Sequence, residues 1–156
     1  MTITFERATP DDAQALMAVQ IAAFHDDARI YPGVEIGGPP GYDSIENVLT
    51  KIDQAEYYKI LSDGRIVGGI VLYDEGEGHF HLDLLYVDPA YHSRGIGTQA
   101  MQFIEHTYPA KKWTLHTPLY ATRNHHFYEK LGYVKVGEEE YDIVLIAYEK
   151  QMDSQA

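Results

Sequence analysis

Between Phe80 and Thr98 the apolar pattern changes its period, and that change constrains the fold more than any other feature of the chain. Phe80 to Val87 is dense in apolar and aromatic residues and ends at Pro89, whereas Ile96, Ala100, Phe103 and Ile104 recur at helical spacing. A strand therefore feeds a helix through a short turn carrying Gly95 and Gly97. The first N–H groups of a helix have no carbonyl partner and lie at the positive end of its dipole. Glycine there removes the side chain that would hold an anion at a distance. The segment reads as a cradle for phosphate.

Two familiar phosphate folds do not fit. Gly95-Ile-Gly-Thr-Gln-Ala100 satisfies a GxGxxA pattern, yet a dinucleotide fold expects an acidic residue about 20 positions later to hold a ribose. Leu115, His116 and Thr117 stand there instead. A P-loop is excluded because the chain has no Gly-Lys-Ser/Thr sequence.

Upstream, Thr2 to Arg7 alternates as a first strand. Thr9-Pro-Asp-Asp12 then supplies a cap, a proline at the first helical position and carboxylates for the dipole, opening a helix to about Phe24. His25 to Asp43 contains four glycines and three prolines and is expected to form no regular element. Its Tyr31, Pro32, Pro39, Pro40, Gly41 and Tyr42 are candidates for shaping an acceptor pocket. Ser44 caps a second helix. Tyr57–Ser62, Arg65–Tyr73 and His79–Val87 read as an antiparallel meander with Asp63-Gly64 at its first turn. A helix from Gly97 to Thr107, a strand from Trp113 to His116, a helix from Asn124 to Leu131 and strands Tyr133–Gly137 and Ile143–Glu149 complete the order. A meander joined to crossover units predicts one mixed sheet with helices on both faces. Residues 1–150 are expected to form a single domain, and 151–156 a polar C-terminal tail.

At 156 residues the chain can bury a sizeable core without the help of cysteine, of which it has none. A cysteine nucleophile and thiolate metal ligands are thereby excluded. No stretch approaches the ~20 apolar residues that cross a bilayer, and no basic segment followed by an apolar run opens the chain. A cytoplasmic protein without a membrane partner is expected. The formal net charge of −12 argues against a nucleic-acid partner, which requires a concentrated basic face. The few cations Arg94, Lys111, Lys112, Arg123 and Lys130 cluster near the cradle and in the region after it.

His92-Ser-Arg-Gly-Ile-Gly97, following Leu85-Tyr-Val-Asp-Pro89, resembles the cofactor motif of the GNAT superfamily of N-acetyltransferases. That pattern is Gln/Arg-x-x-Gly-x-Gly/Ala after a Leu-x-Val-x-Pro strand, and His92 departs from it. Asn124-His-His-Phe-Tyr-Glu-Lys-Leu-Gly-Tyr133 is similar to the late helix and following strand of the same family. The resemblance implies an α/β, mixed α+β fold of the GNAT type: a central, mostly antiparallel sheet whose fourth and fifth strands diverge. It also implies acetyl-CoA (coenzyme A) as cofactor. The pantetheine arm would lie along Leu85, Tyr86 and Val87, and the pyrophosphate at His92, Ser93, Arg94, Gly95, Ile96, Gly97 and Thr98. A small-molecule or peptide amine would be the acceptor. Dimers are common in the family, which makes a homodimer a candidate assembly.

Acyl transfer to an amine needs a neutral nucleophile, a donor for the developing oxyanion and an acid for the departing thiolate. At neutral pH only about one alkyl amine in a thousand is unprotonated, so a base is required. His81 and Asp83 lie two residues apart on one strand and share a face, and either serves directly or through water. Arylalkylamine acetyltransferases are similar in this strand, with histidine at both places. By the same resemblance Tyr128 matches the tyrosine that protonates the coenzyme sulfur, a backbone N–H near Leu85 meets the oxyanion, and Asn124 holds the pantetheine or orients its helix. An alternative for Asn124 is a plain N-cap. With His79, His81 and Asp83 form a His-x-His-x-Asp array that offers a metal-enzyme alternative, although no metal is expected. A non-catalytic acyl-CoA sensor on the same fold is the other rival.

Overall fold

A single sheet of seven strands, in the order β1-β2-β3-β4-β5-β7-β6, organises the chain. The structure is a computed structural model and describes residues 1–152; residues 153–156 of the expected polar tail lie outside the described residues. The elements are β1 (Ile3–Arg7), α1 (Ala13–His25), α2 (Asp27–Ile30), α3 (Ile45–Gln54), β2 (Glu56–Ser62), β3 (Arg65–Gly76) and β4 (His79–Val87). They continue with α4 (Ile96–Thr107), β5 (Lys112–Pro118), α5 (Thr122–Lys130), β6 (Val134–Glu140) and β7 (Val144–Gln151). Short 3-10 turns at Pro10–Asp12 and Pro89–Tyr91 introduce α1 and precede α4. β1 pairs antiparallel with β2, β2 with β3, β5 with β7 and β6 with β7, whereas β4 and β5 are parallel. The expected mixed, mostly antiparallel α/β fold is the one observed.

The chain divides into two compact units. One comprises residues 1–72 and 84–108, the other residues 73–83 and those from Pro109 onward. In the first unit adjacent residues of β2 separate the two faces of the sheet. The Tyr57 hydroxyl reaches Gln20 of α1 at 3.4 Å, while the Tyr58 ring meets Phe103 of α4 edge-on at 5.0 Å. Neighbouring strand residues point to opposite faces, so α1 and α4 cover opposite sides. Leu16, Ile60, Ile70, Val71, Leu72, Ile96, Met101 and Ile104 fill this core. The second unit builds its core from Trp113, Leu115, Ile146 and Tyr148, with Phe80 stacked on Trp113 at 5.3 Å.

Local chemistry sets the element ends. Ser44 accepts from the Asn47 N–H at 3.2 Å and starts α3. Asp12 accepts from the Thr9 N–H at 2.8 Å and from the Lys59 ammonium at 3.1 Å. Burial alone would raise the Asp12 carboxyl; the Thr9 and Lys59 donors outweigh it and set the group below its usual value. One expectation is corrected. The glycine- and proline-rich segment contains the short helix α2, stabilised by the Arg29 to Asp26 hydrogen bonds of 2.7 and 3.0 Å. Near its end the segment is anchored by Tyr42: the Tyr42 ring lies where a side chain on Gly38 would stand, and the Tyr42 hydroxyl is 2.7 Å from His25 Nε2. Among the described residues no helix is long and apolar enough to cross a membrane.

Candidate active site

The turn between β4 and α4 is solvent-exposed from His92 to Gly95. Ser93 (φ 63°) and Gly95 (φ 76°) adopt left-handed conformations, so successive N–H groups converge as in an anion nest. No atom lies within 4 Å of a side chain built on Gly95, so backbone conformation and not space accounts for glycine there. The first carbonyl engaged by α4 is that of Gly95, which accepts from Gln99 N–H at 3.1 Å. Among the described residues no carbonyl or side chain accepts from the amides of residues 93–98. These donors fit a diphosphate. Arg94 folds back with its guanidinium 5.1 Å above the Tyr91 ring and donates to the Ala90 carbonyl at 3.4 Å.

His92, where the family pattern has Gln or Arg, donates from Nε2 to the Val87 carbonyl at 2.9 Å, and its Nδ1 stands 3.9 Å from the Asp26 carboxylate. The imidazole thus ties the turn to the end of β4. Within β4 the Tyr86 side chain is buried over β3: a side chain on Gly69 would collide with the Tyr86 hydroxyl, and one on Gly68 with the Tyr86 carbonyl. The Tyr86 and Tyr57 hydroxyls lie 2.5 Å apart, and burial, then Tyr57, pushes the Tyr86 phenol well above its usual range. Gly68-Gly69 therefore permits the close approach that fixes residues 84–87. The β4–β5 ladder covers His79–Leu82 against Lys112–Leu115, and β4 runs on beyond it to Val87.

The second unit holds the proposed base. Parallel pairing sets Thr114 opposite His81, and the Thr114 hydroxyl lies 2.7 Å from both His81 Nδ1 and His79 Nε2. The His116 ring is 5.4 Å from that of His81, and its Nε2 pairs with the Glu139 carboxylate. These groups, with Glu75 and Tyr148, line an open cavity of about 380 Å³. Burial and then the neighbouring His116 lower the His81 pKa against the opposing pull of Asp83 and Glu75, which favours the neutral ring. Asp83 does not line this cavity, but its charge acts on His81 and also on Tyr73, whose phenol is raised by burial first and by Asp83 next. Among the described residues no three His, Asp or Glu side chains converge to hold a metal ion. Thr114 and His116 escape sequence reasoning because they lie more than 30 residues from His81. Only the parallel register brings them there.

Tyr128 is buried on α5, 6.4 Å ring to ring from Tyr148 and 5.8 Å from Tyr133. Burial raises its phenol above the usual value. Tyr148 donates to Glu129 at 2.6 Å and is pushed up to about 12, by burial first and Glu129 second. Asn124 is not an N-cap. α5 is capped by Ala121, so Asn124 lies within its first turn, where its amide donates to the buried Thr117 hydroxyl at 3.1 Å.

Residues 21–133 match the model of the acetyltransferase (GNAT) family, across most of the chain and both motifs. The chain belongs to the GNAT family of acetyltransferases. Acetyl-CoA is the acyl donor of that family. Among relatives, S-(2-succino)cysteine N-acetyltransferase of Bacillus subtilis is 27% identical over 149 residues, covering 87% of each chain. The uncharacterized protein YrkN of the same organism is 45% identical over 82 residues, which span 51% of this chain but only 44% of YrkN. In fold, the chain is similar to the PaiA N-acetyltransferase of Thermoplasma acidophilum, solved in complex with coenzyme A. That similarity has a TM-score of 0.79 at 21% identity and covers 97% of this chain and all of the other. An acetyltransferase from Thermus thermophilus gives a TM-score of 0.73 at 17% identity, covering 97% of this chain and 98% of that one.

Proposed function

We propose that this GNAT protein is an acetyl-CoA-dependent N-acetyltransferase that passes acetyl directly to the primary amine of a small molecule or peptide. The observation that carries the reading is the run of unengaged amides from Ser93 to Thr98, in a turn exposed from His92 to Gly95 and shaped by two left-handed residues at a helix start. Acetyl-CoA supplies the activated thioester. Ser93, Gly95, Ile96, Gly97 and Thr98 bind the pyrophosphate through backbone N–H groups, and Arg94 adds charge at the same turn. The backbone of Leu85, Tyr86 and Val87 binds the pantetheine amides as an added strand would, with His92 fixing the Val87 carbonyl. Asn124 orients α5 through Thr117.

His81 takes the proton from the amine at Nε2, the nitrogen that Thr114 leaves open, and Asp83 adds negative charge that steadies the protonated ring. Tyr128 holds a proton at its hydroxyl for the departing sulfur. Burial keeps that phenol protonated at neutral pH. The named activity of the 27% identical relative, which acetylates an S-substituted cysteine, supports a small-molecule amine as acceptor. The proposed reaction runs in the cytoplasm, where acetyl-CoA is made and consumed.

Isothermal titration with coenzyme A, followed by a panel of amines assayed for free thiol, tests the reading. Saturable binding and thiol release with at least one amine are expected. Absence of coenzyme A binding would overturn it, and binding without release from any amine would leave a sensor in its place.

A further inference from the structure

The Thr114 hydroxyl has one proton and two imidazole neighbours, each at 2.7 Å. With one proton to donate and lone pairs to accept, it suits an arrangement that donates to one ring and accepts from the other, coupling the tautomers of His79 and His81 across 2.7 Å contacts short enough for proton transfer. When Thr114 donates to His79 Nε2, His81 Nδ1 carries a proton and His81 Nε2 presents its lone pair. That is the tautomer a base requires. His79 and Glu75 line the same cavity.

We propose that Thr114 and His79 form the proton exit of the acetyl-transfer site, Thr114 positioning the His81 tautomer and relaying its proton to His79. The inference rests on the transferase reading and deepens it. The ammonium of the acceptor gives its proton to His81 Nε2. His81 Nδ1–H passes to Thr114 Oγ1 as the Thr114 proton moves to His79 Nε2, and His79 releases its Nδ1 proton to water. One N–H bond of the substrate is broken, one proton reaches solvent, and Thr114 ends as a hydroxyl turned toward His81. Exchange of the ring protons with water resets the array.

The charged and titratable groups around His81 are consistent with this direction. Glu75 on β3 and Asp83 on β4 draw a proton toward the array. His116 on β5, held by Glu139 of β6, disfavours its resting on His81. Tyr148 on β7 lines the same cavity as a protonated phenol and carries no charge. A proton taken up at His81 is thereby driven outward rather than stored.

Long-range proton–nitrogen NMR of histidine-labelled protein, without any ligand, reads the tautomers directly. In the wild type His81 is expected as the Nδ1–H form. Thr114→Val, which keeps shape and strand propensity, should abolish that preference, and Thr114→Ser should restore it. In the amine assay Thr114→Val should lower kcat by about 10²-fold, the lower end of what proton transfer contributes, with KM for acetyl-CoA unchanged and activity regained in Thr114→Ser. His79→Gln should lower kcat while leaving His81 as the Nδ1–H form. An unchanged His81 tautomer in Thr114→Val, or wild-type kcat in that variant, would overturn the relay. Wild-type protein that binds coenzyme A yet acetylates no amine would instead overturn the transferase reading, and the relay with it, even with the tautomer pattern intact.

Discussion

The two side chains proposed to carry the chemistry, Tyr128 and His81, are set by their surroundings in opposite protonation states: a protonated phenol and a neutral ring that is free to accept. Tyr128→Phe should reduce turnover by about 10²-fold or more, the usual contribution of a positioned acid, with unchanged coenzyme A affinity by calorimetry. His81 works as the neutral ring. Its pKa lies below 6.5 through burial and then His116, so kcat should persist as pH falls through 6.5 and decline only below that value. His116→Gln removes a neighbour that lowers the pKa, so the acid limb of the kcat profile should move upward. A profile identical to wild type would show that His116 has no hold on the base. The place of Tyr128 on a helix was legible because the segment resembles a family motif residue by residue, and that of His81 on a strand because alternation gives it a definite face. The Thr114 hydroxyl was not legible, because a threonine in a strand has no signature until the parallel register sets it opposite His81.

Element boundaries followed from local chemistry wherever a cap, a proline or a sustained period was present. β4 and α4 emerged close to their observed limits because eight or more residues repeat one pattern. α2 did not, since four residues cannot display a helical period and glycine and proline surround it. The start of α5 was misplaced by two residues because Asn124, a favoured capping residue, stands inside the first turn and bonds Thr117 instead. At the start of α1, Asp12→Ala removes the carboxylate that joins Thr9 to Lys59 and should destabilise the protein by about 1 kcal/mol in urea denaturation. Because this carboxyl titrates below its unfolded value near ~3.9, its contribution is complete above that pH and is lost as pH falls through the folded value. Asp12→Asn should therefore flatten this part of the acid stability curve. Between β3 and β4, Gly69→Ala would drive a methyl into the Tyr86 hydroxyl and should cost about 1–3 kcal/mol by the same measurement.

At the scale of the molecule, net charge and connectivity make separate statements. A chain of −12 repels a polyanionic cofactor at long range, while the unengaged amides of the turn are the proposed attraction at short range. Raising salt from 0.1 to 1 M shortens the screening length from about 10 to about 3 Å, so stopped-flow association of coenzyme A should accelerate. A slower association would show that local cations govern the approach. A single mixed sheet was legible because a meander joined to crossovers calls for one, whereas its strand order and the division into two units depend on long-range pairing and contact density that no short segment encodes. β3 and β4 each contribute residues to both units. The chain's one indole, Trp113, lies fully enclosed in the second unit with its N–H unpartnered. It is a built-in optical probe: its emission should be blue when folded and turn red as water arrives, with no dye attached. Superposition of that colour change on the loss of far-ultraviolet dichroism would mean that the two units melt as one.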